Sequence, residues 1–162
     1  MAGKTLEMKV SSIAIDPFTN TPIIILKDLI GEKVLPIWIG FMEASSIAME
    51  LEKTPRIRPL THDLLKNILD DLKYAVSKVE LTDLRDETYY AKIHLVRDNE
   101  IHILDSRPSD AIALALRTSS QIFVHDIVLE RSKHIQSMDE DKEKLAELLD
   151  KIPPGDFGKY KM

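Results

Sequence analysis

The sequence predicts a single α+β domain: a duplicated β-β-β-α unit, a mixed or antiparallel sheet, flanking helices and a charged C-terminal helix. Three observations carry this expectation. Short apolar runs bounded by Pro, Gly and Asp read as strands, and between them lie stretches with apolar residues at helical spacing. Glu43-Ala44-Ser45-Ser46-Ile47-Ala48 and Asp110-Ala111-Ile112-Ala113-Leu114-Ala115 share the pattern acid-Ala-x-x-aliphatic-Ala, and each follows three strand-like runs. A chain of 162 residues is long enough for one domain with a substantial core. The domain reads as 1–136, with halves 8–52 and 76–119, and 137–162 as a charged helix and mobile tail.

Met8–Ile15 alternates as a strand and closes on the turn-forming pair Asp16-Pro17. Pro22–Lys27 is a second strand, and a turn around Gly31 leads to a third at Val34–Ile39. Pro36 places that third strand at an edge or a bulge, since it cannot donate to a ladder. Gly40 breaks the run, and Glu43–Leu51 continues as a helix with Ala44, Ile47, Ala48 and Leu51 on one face. The next helix takes Thr61 as its N-cap and buries a stripe of Leu64, Leu65, Ile68, Leu69 and Leu72.

Strands follow at Ala75–Leu81, Tyr89–Arg97 and Ile101–Leu104, with Val76-Ser77 at nearly the same offset in the second unit as Val10-Ser11 in the first. The last two strands form a hairpin around Asp98-Asn99. A two-residue loop would set Leu95 beside His102, so a three-residue loop is preferred, aligning Ile93 and Leu95 with Ile103 and Asp105. That register turns Asp105 toward the core, where it needs loop N–H groups or an arginine. Pro108–Arg117 is a helix with proline in its first turn, followed by a short strand at Ile122–Val124 and a helical turn over Ile127–Glu130. Asp139–Asp150 is charged, with a narrow stripe of Leu145, Leu148 and Leu149, and Pro153-Pro154-Gly155 ends it.

Composition narrows the function. The chain has no cysteine, which removes disulfide partners and thiolate chemistry. Its N-terminus carries no apolar signal core and no run reaches membrane-spanning length, so the expectation is a cytoplasmic protein without a membrane partner. A net charge of −5 means that nucleic acid would need a local basic patch or bridging cations. Gly3-Lys4-Thr5 resembles the end of a phosphate-binding loop but lacks the upstream strand and glycine. The sequence holds no His-Glu-x-x-His and no Gly-x-Ser-x-Gly.

The residues that point to chemistry lie at helix mouths. Glu43, Asp105 and Asp110 are oxygen ligands of the kind that hold Mg²⁺ or Mn²⁺, ions that activate water and neutralise a leaving group in phosphodiester cleavage. An acid in a first helical turn also complements the helix dipole, and Asp105 can equally clamp the following loop. Arg58 and Arg107 each precede a proline at a helix mouth, where a guanidinium can grip phosphate bidentately or pair with Asp105 or a helix end. His62 lies in a first helical turn, where it can move a proton or simply cap. Trp38 sits in an apolar strand and is expected in the core rather than as a base-stacking platform.

Leu35-Pro36-Ile37-Trp38-Ile39-Gly40 with Glu43-Ala44, then Arg58-Pro59-Leu60-Thr61-His62-Asp63-Leu64, then Asp105-Ser106-Arg107-Pro108-Ser109-Asp110-Ala111-Ile112-Ala113, resemble the bifunctional nuclease family. That family was formerly catalogued as a domain of unknown function. The likeness covers about Met8 to Ile135, and Asp156-Phe157-Gly158-Lys159-Tyr160 is similar to the tail of bacterial members. The resemblance implies a compact α+β domain and, for some members, cleavage of DNA and RNA without strong sequence preference. The leading expectation is therefore a metal-assisted phosphodiesterase. In it Glu43, Asp105 and Asp110 hold the cation, Arg58 and Arg107 grip phosphate, and His62 shuttles a proton. The competing expectation is a non-catalytic, homo-oligomeric binding or regulatory module.

Overall fold

The computed structural model describes residues 3–137. The first half runs β1 (Thr5–Ile15), β2 (Pro22–Asp28), β3 (Val34–Trp38) and α1 (Phe41–Leu51). After α2 (Thr61–Asp71), the second half runs β4 (Ala75–Arg85), β5 (Thr88–Arg97), β6 (Glu100–Ser106) and α3 (Pro108–Thr118). β7 (Gln121–His125) and α4 (Asp126–Ser137) complete the described chain. The strands form one seven-stranded sheet in the order β3-β2-β1-β7-β4-β5-β6. β7 is antiparallel to β1 and parallel to β4, and every other pair is antiparallel. The fold is α+β, as expected from the sequence.

Each half is thus a three-stranded meander followed by a helix, which is the arrangement a duplicated unit requires. The register slips between Val10 and Ser12 in β1 and between Val76 and Lys78 in β4, so the Val-Ser pairs mark a bulge in both units. A bulge twists and re-aims a strand, and here it does so at the same place in each meander. β3 takes the sheet edge that Pro36 demands.

The main core gathers Met8, Ile24 and Leu26 from the first meander, Val79, Leu81, Ile93 and Leu95 from the second, and the apolar faces of α1 and α3. α3 is the central helix, with Ala111 through Ala115 all buried. On the opposite sheet face Ile23 and Ile25 pack with Ala14, Val34 and Trp38, which puts the tryptophan ring in a core cluster. Its indole N–H donates to Asp16 at 2.9 Å, and the same carboxylate accepts the Phe18 and Thr19 backbone N–H groups. Asp16 is therefore the staple that fixes the β1–β2 turn to β3.

Several expectations are corrected. The β5–β6 hairpin uses the two-residue loop, pairing Arg97 with Glu100, Leu95 with His102 and Lys92 with Asp105. β6 is an edge strand with nearly all of its side chains exposed, so mixing faces there costs no burial, and Asp98 adopts the left-handed conformation (φ 50°) that a tight turn needs. Asp105 consequently lies exposed on the sheet face opposite the core. Leu60, not Thr61, occupies the N-cap position of α2, and its N–H donates to Asp63 at 3.0 Å. Of the α2 stripe only Leu69 is buried, because the helix leans chiefly on α3 and leaves Leu64, Leu65, Ile68 and Leu72 exposed. The turn at Ile127–Glu130 is the start of a longer helix, α4. The charged segment Asp139–Asp150 and the tail fall outside the described residues.

The helix layer is held by a buried cation. Arg117, with 2% of its side chain exposed, donates to Asp63 Oδ1 at 2.8 Å, to the Ser46 carbonyl at 3.1 Å and to the Ala113 carbonyl at 3.0 Å. Burial alone would raise the pKa of Asp63, but the Leu60 N–H and the Arg117 and Arg56 guanidinium groups outweigh it and hold the carboxyl low. Asp16 is likewise held low, its burial outweighed by the Trp38 and turn N–H donors.

Two outcomes follow for stability. Arg117→Ala is expected to cost about 3 kcal/mol in urea unfolding, the lower end for a broken buried pair, because Asp63 keeps Arg56 and the Leu60 N–H. Asp16 and Asp63 have folded pKa values below their unfolded ones, so their contribution is complete above pH ~4 and is lost as pH falls through the folded values. Asp16→Asn should flatten that acid limb in unfolding curves taken from pH 6 to pH 2.

Candidate functional site

The three helices that follow strands or loops each place an acid at their third residue: Glu43 in α1, Asp63 in α2 and Asp110 in α3. Uncapped N–H groups at a helix start favour negative charge there. What distinguishes this protein is that the three mouths converge. A continuous chain of polar contacts runs Glu50–Arg56–Asp63–Arg117–Ser46–His62–Asp110–Arg107–Glu43.

At one end, Arg107 is the N-cap residue of α3. Its Nε donates to Asp110 Oδ2 at 2.9 Å, Nη2 to Asp110 Oδ1 at 3.2 Å, and Nη1 to Glu43 Oε1 at 3.0 Å. Donating hydrogen bonds to Asp110 and then Glu43 raises the guanidinium pKa further, so its charge is permanent. Glu43 reaches it by folding back over Gly40, where any Cβ would overlap the carboxylate. In the middle, His62 Nε2 lies 2.9 Å from Asp110 Oδ1, and His62 Nδ1 lies 2.8 Å from Ser46 Oγ. Burial tends to raise the Asp110 pKa, but Arg107 and His62 outweigh it and keep the carboxylate ionised.

An ionised carboxylate only accepts, so His62 Nε2 carries a proton toward Asp110, and in the neutral imidazole Nδ1 is left as an acceptor. The Ser46 hydroxyl then donates to Nδ1, while Arg117 Nη2 donates to Ser46 Oγ at 3.2 Å. In that tautomer the protons point from Arg117 to Ser46, from Ser46 to His62 and from His62 to Asp110.

The chain lines a cavity of about 720 Å³, walled by Met42, Glu43, Ser46, His62, Arg107 and Asp110 among others. A second hollow of about 310 Å³ lies across the Glu43–Arg107 pair, against Trp38, Gly40, Tyr89 and Pro108. Arg107 therefore forms the ridge between two concave surfaces, with 63% of its side chain exposed.

Of the residues singled out from sequence, Glu43, His62, Arg107 and Asp110 come together. Asp105 does not; it lies exposed on β6 and makes no side-chain hydrogen bond or ion pair with the described residues. Arg58 is also exposed and outside the network, and Arg56, two residues earlier, joins it instead. Glu43 and Asp110 already share one guanidinium, and among the described residues no three His, Asp or Glu side chains are grouped to hold a metal ion. A divalent cation does not fit these side chains as they are arranged.

Ser46, Asp63 and Arg117 were missed from sequence. Their signal was available: Glu43, Ser46 and Glu50 recur at i, i+3 and i+7 on α1, and Arg117 is the lone cation of an apolar helix.

Comparison with known proteins supports the same region. A family model described as the bifunctional nuclease domain matches residues 24–137. An uncharacterized protein of Mycobacterium tuberculosis is 35% identical over 162 residues, covering 93% of this chain and 97% of the relative. Bifunctional nuclease 1 of Oryza sativa subsp. japonica is 32% identical over 100 residues, covering 59% of this chain but 30% of the plant protein. Bifunctional nuclease 2 of Arabidopsis thaliana is 28% identical over 95 residues, 57% of this chain and 29% of that protein. With its three helix mouths inside the matched region, the chain belongs to the bifunctional nuclease domain family.

Proposed function

We propose that the protein hydrolyses phosphodiester bonds in DNA, RNA or both, without strong sequence preference, at the cavity walled by Ser46, His62, Arg107 and Asp110. The observation that carries this reading is the directed chain Arg107–Asp110–His62 opening into a cavity of suitable size. A guanidinium has five N–H donors, and the carboxylates of Glu43 and Asp110 engage three of them. The remaining two are free to meet a phosphate oxygen on the exposed side, where Arg suits a forked anion. His62 stands beside that point with an ionised partner on one nitrogen and a proton donor on the other, the arrangement of a general base that later returns its proton to a leaving group. The names of the plant relatives support a nucleic-acid substrate. The acidic balance of the chain supplies no long-range attraction, so phosphate contact must come from this local cation.

The test is digestion of single-stranded and duplex DNA and RNA, run in EDTA and with Mg²⁺ or Mn²⁺, since the family affiliation also suggests a divalent cation. His62→Gln is expected to lower the cleavage rate by about a hundredfold or more. Arg107→Ala should raise the substrate concentration needed for half-maximal rate. If both variants cleave like wild type, the reading fails.

A specific observation also favours the second reading, a homo-oligomeric module. Among the described residues no strand pairs with the outer side of β6, and Ile101 and Ile103 are exposed on its face away from the helices, Leu104 on the other. Such an edge is a template for another strand. A second copy about a two-fold axis normal to the sheet maps each face onto itself, so Ile101 and Ile103 would meet apolar counterparts across the seam. Light scattering is expected to give a dimer, and Ile103→Lys a monomer. A wild-type monomer would remove this reading.

A further inference from the structure

We propose that Ser46 is the nucleophile of this site, forming a transient phosphoserine ester with the substrate; this rests on the phosphodiesterase reading above. The geometry is that of a serine activated through a histidine oriented by an aspartate, built from three helices: Ser46 on α1, His62 on α2 and Asp110 on α3. Its attachment to the imidazole is reversed, with serine on Nδ1 and aspartate on Nε2. The roles are set by hydrogen-bond direction and not by which nitrogen is used.

Several features favour attack by Ser46 Oγ. Ser46 Oγ lies 2.8 Å from His62 Nδ1, which accepts the hydroxyl proton when the imidazole is neutral and protonated on Nε2. Arg117 Nη2 donates to the same oxygen at 3.2 Å, so a buried cation faces the alkoxide as it forms. A hydroxyl oxygen has two lone pairs, and Arg117 occupies one, leaving the other for phosphorus. Ser46 is half-buried and lines the cavity with Arg107, so a phosphate gripped by Arg107 enters the same space as Oγ. Glu43, Ser46 and Glu50 share one face of α1, apart from the buried stripe of Ala44, Ile47 and Ala48.

The step balances as follows. Ser46 Oγ bonds to phosphorus while its proton moves to His62 Nδ1, and Asp110 stabilises the imidazolium. The phosphorus–oxygen bond to the departing nucleoside breaks, and that oxygen takes the proton from His62. Water then attacks phosphorus, giving a proton to His62. The phosphorus–Oγ bond breaks, and Oγ recovers the proton. One water is consumed and the serine is regenerated.

The experiment uses diisopropyl fluorophosphate on the full chain. Attack by Ser46 Oγ breaks the phosphorus–fluorine bond, releases fluoride and a proton, and leaves one diisopropylphosphoryl group. The expected result is a single adduct by intact mass, mapped to Ser46 rather than Ser45 by fragmentation of the peptide between Lys33 and Lys53. Labelling should slow by about a hundredfold in His62→Gln and Asp110→Asn, and nucleic-acid cleavage should fall as far in Ser46→Ala. Thermal melting checks that each variant is folded, and wild-type labelling needs no variant at all. Absence of any adduct at Ser46 after prolonged incubation overturns the proposal, as does wild-type cleavage by folded Ser46→Ala. An adduct at Ser46 in a protein that cleaves no nucleic acid upholds the nucleophile and overturns the phosphodiesterase reading. Cleavage without an adduct does the reverse.

Discussion

A guanidinium buried among three helices is the constraint on which this site depends. A guanidinium carries its charge wherever the chain buries it, so acceptors must gather around Arg117. The acceptors come from α1, α2 and α3 itself: the Ser46 carbonyl and hydroxyl, Asp63, and the Ala113 carbonyl. Meeting that demand brings the start of α2 against the second turn of α1, and His62 is adjacent to Asp63. The imidazole therefore reaches Ser46 and Asp110 because its neighbour is committed to Arg117. The geometry of the site and the packing of the helices are here two results of one desolvated charge.

The second organising principle is near-symmetry with one asymmetric substitution. The two meanders carry matching bulges at Val10/Ser12 and Val76/Lys78, and their helices open with Glu43 and Asp110 at the same position. The N-cap residues differ: Gly40 in the first half and Arg107 in the second. Gly40 clears the space into which the Glu43 carboxylate folds. Arg107 brings the cation that both carboxylates share. A symmetric pair of arginines or glycines would supply either repulsion or no anion grip.

Much of this was legible in the sequence because it is local. Pro36 announced an edge strand, Pro108 a helix start, and the acid-Ala repeats two equivalent helix mouths. Long-range choices were not legible. Periodicity on α2 showed that Leu64, Ile68 and Leu72 share a face, but what lies opposite that face depends on where α3 sits. The β6 register was misread because burial disciplines register only where one face is covered, and an edge strand escapes that discipline. Asp105 followed from that register and so was misplaced. Arg58 stands out in the sequence because it precedes a proline, whereas it is Arg56 that finds salt-bridge partners, Glu50 on α1 and Asp63 on α2. Local patterns mark Ser46 as part of a polar face and Arg117 as the lone cation of its helix, but their contact spans 71 positions, so no local pattern pairs them.

The place of β7 has a consequence for the order in which the molecule is made. Each meander pairs its strands with near neighbours in the chain, and both precede β7. Yet β1 and β4 do not pair with each other; Gln121–His125 lies between them and bonds to both. During synthesis, then, both meanders and the three helices of the site leave the ribosome before the strand that joins them. Until it arrives, β1 and β4 each have an open edge that a neighbouring nascent chain can occupy. Only a short turn separates β7 from α3, so the helix carrying Asp110 and Arg117 also delivers the strand that closes the seam.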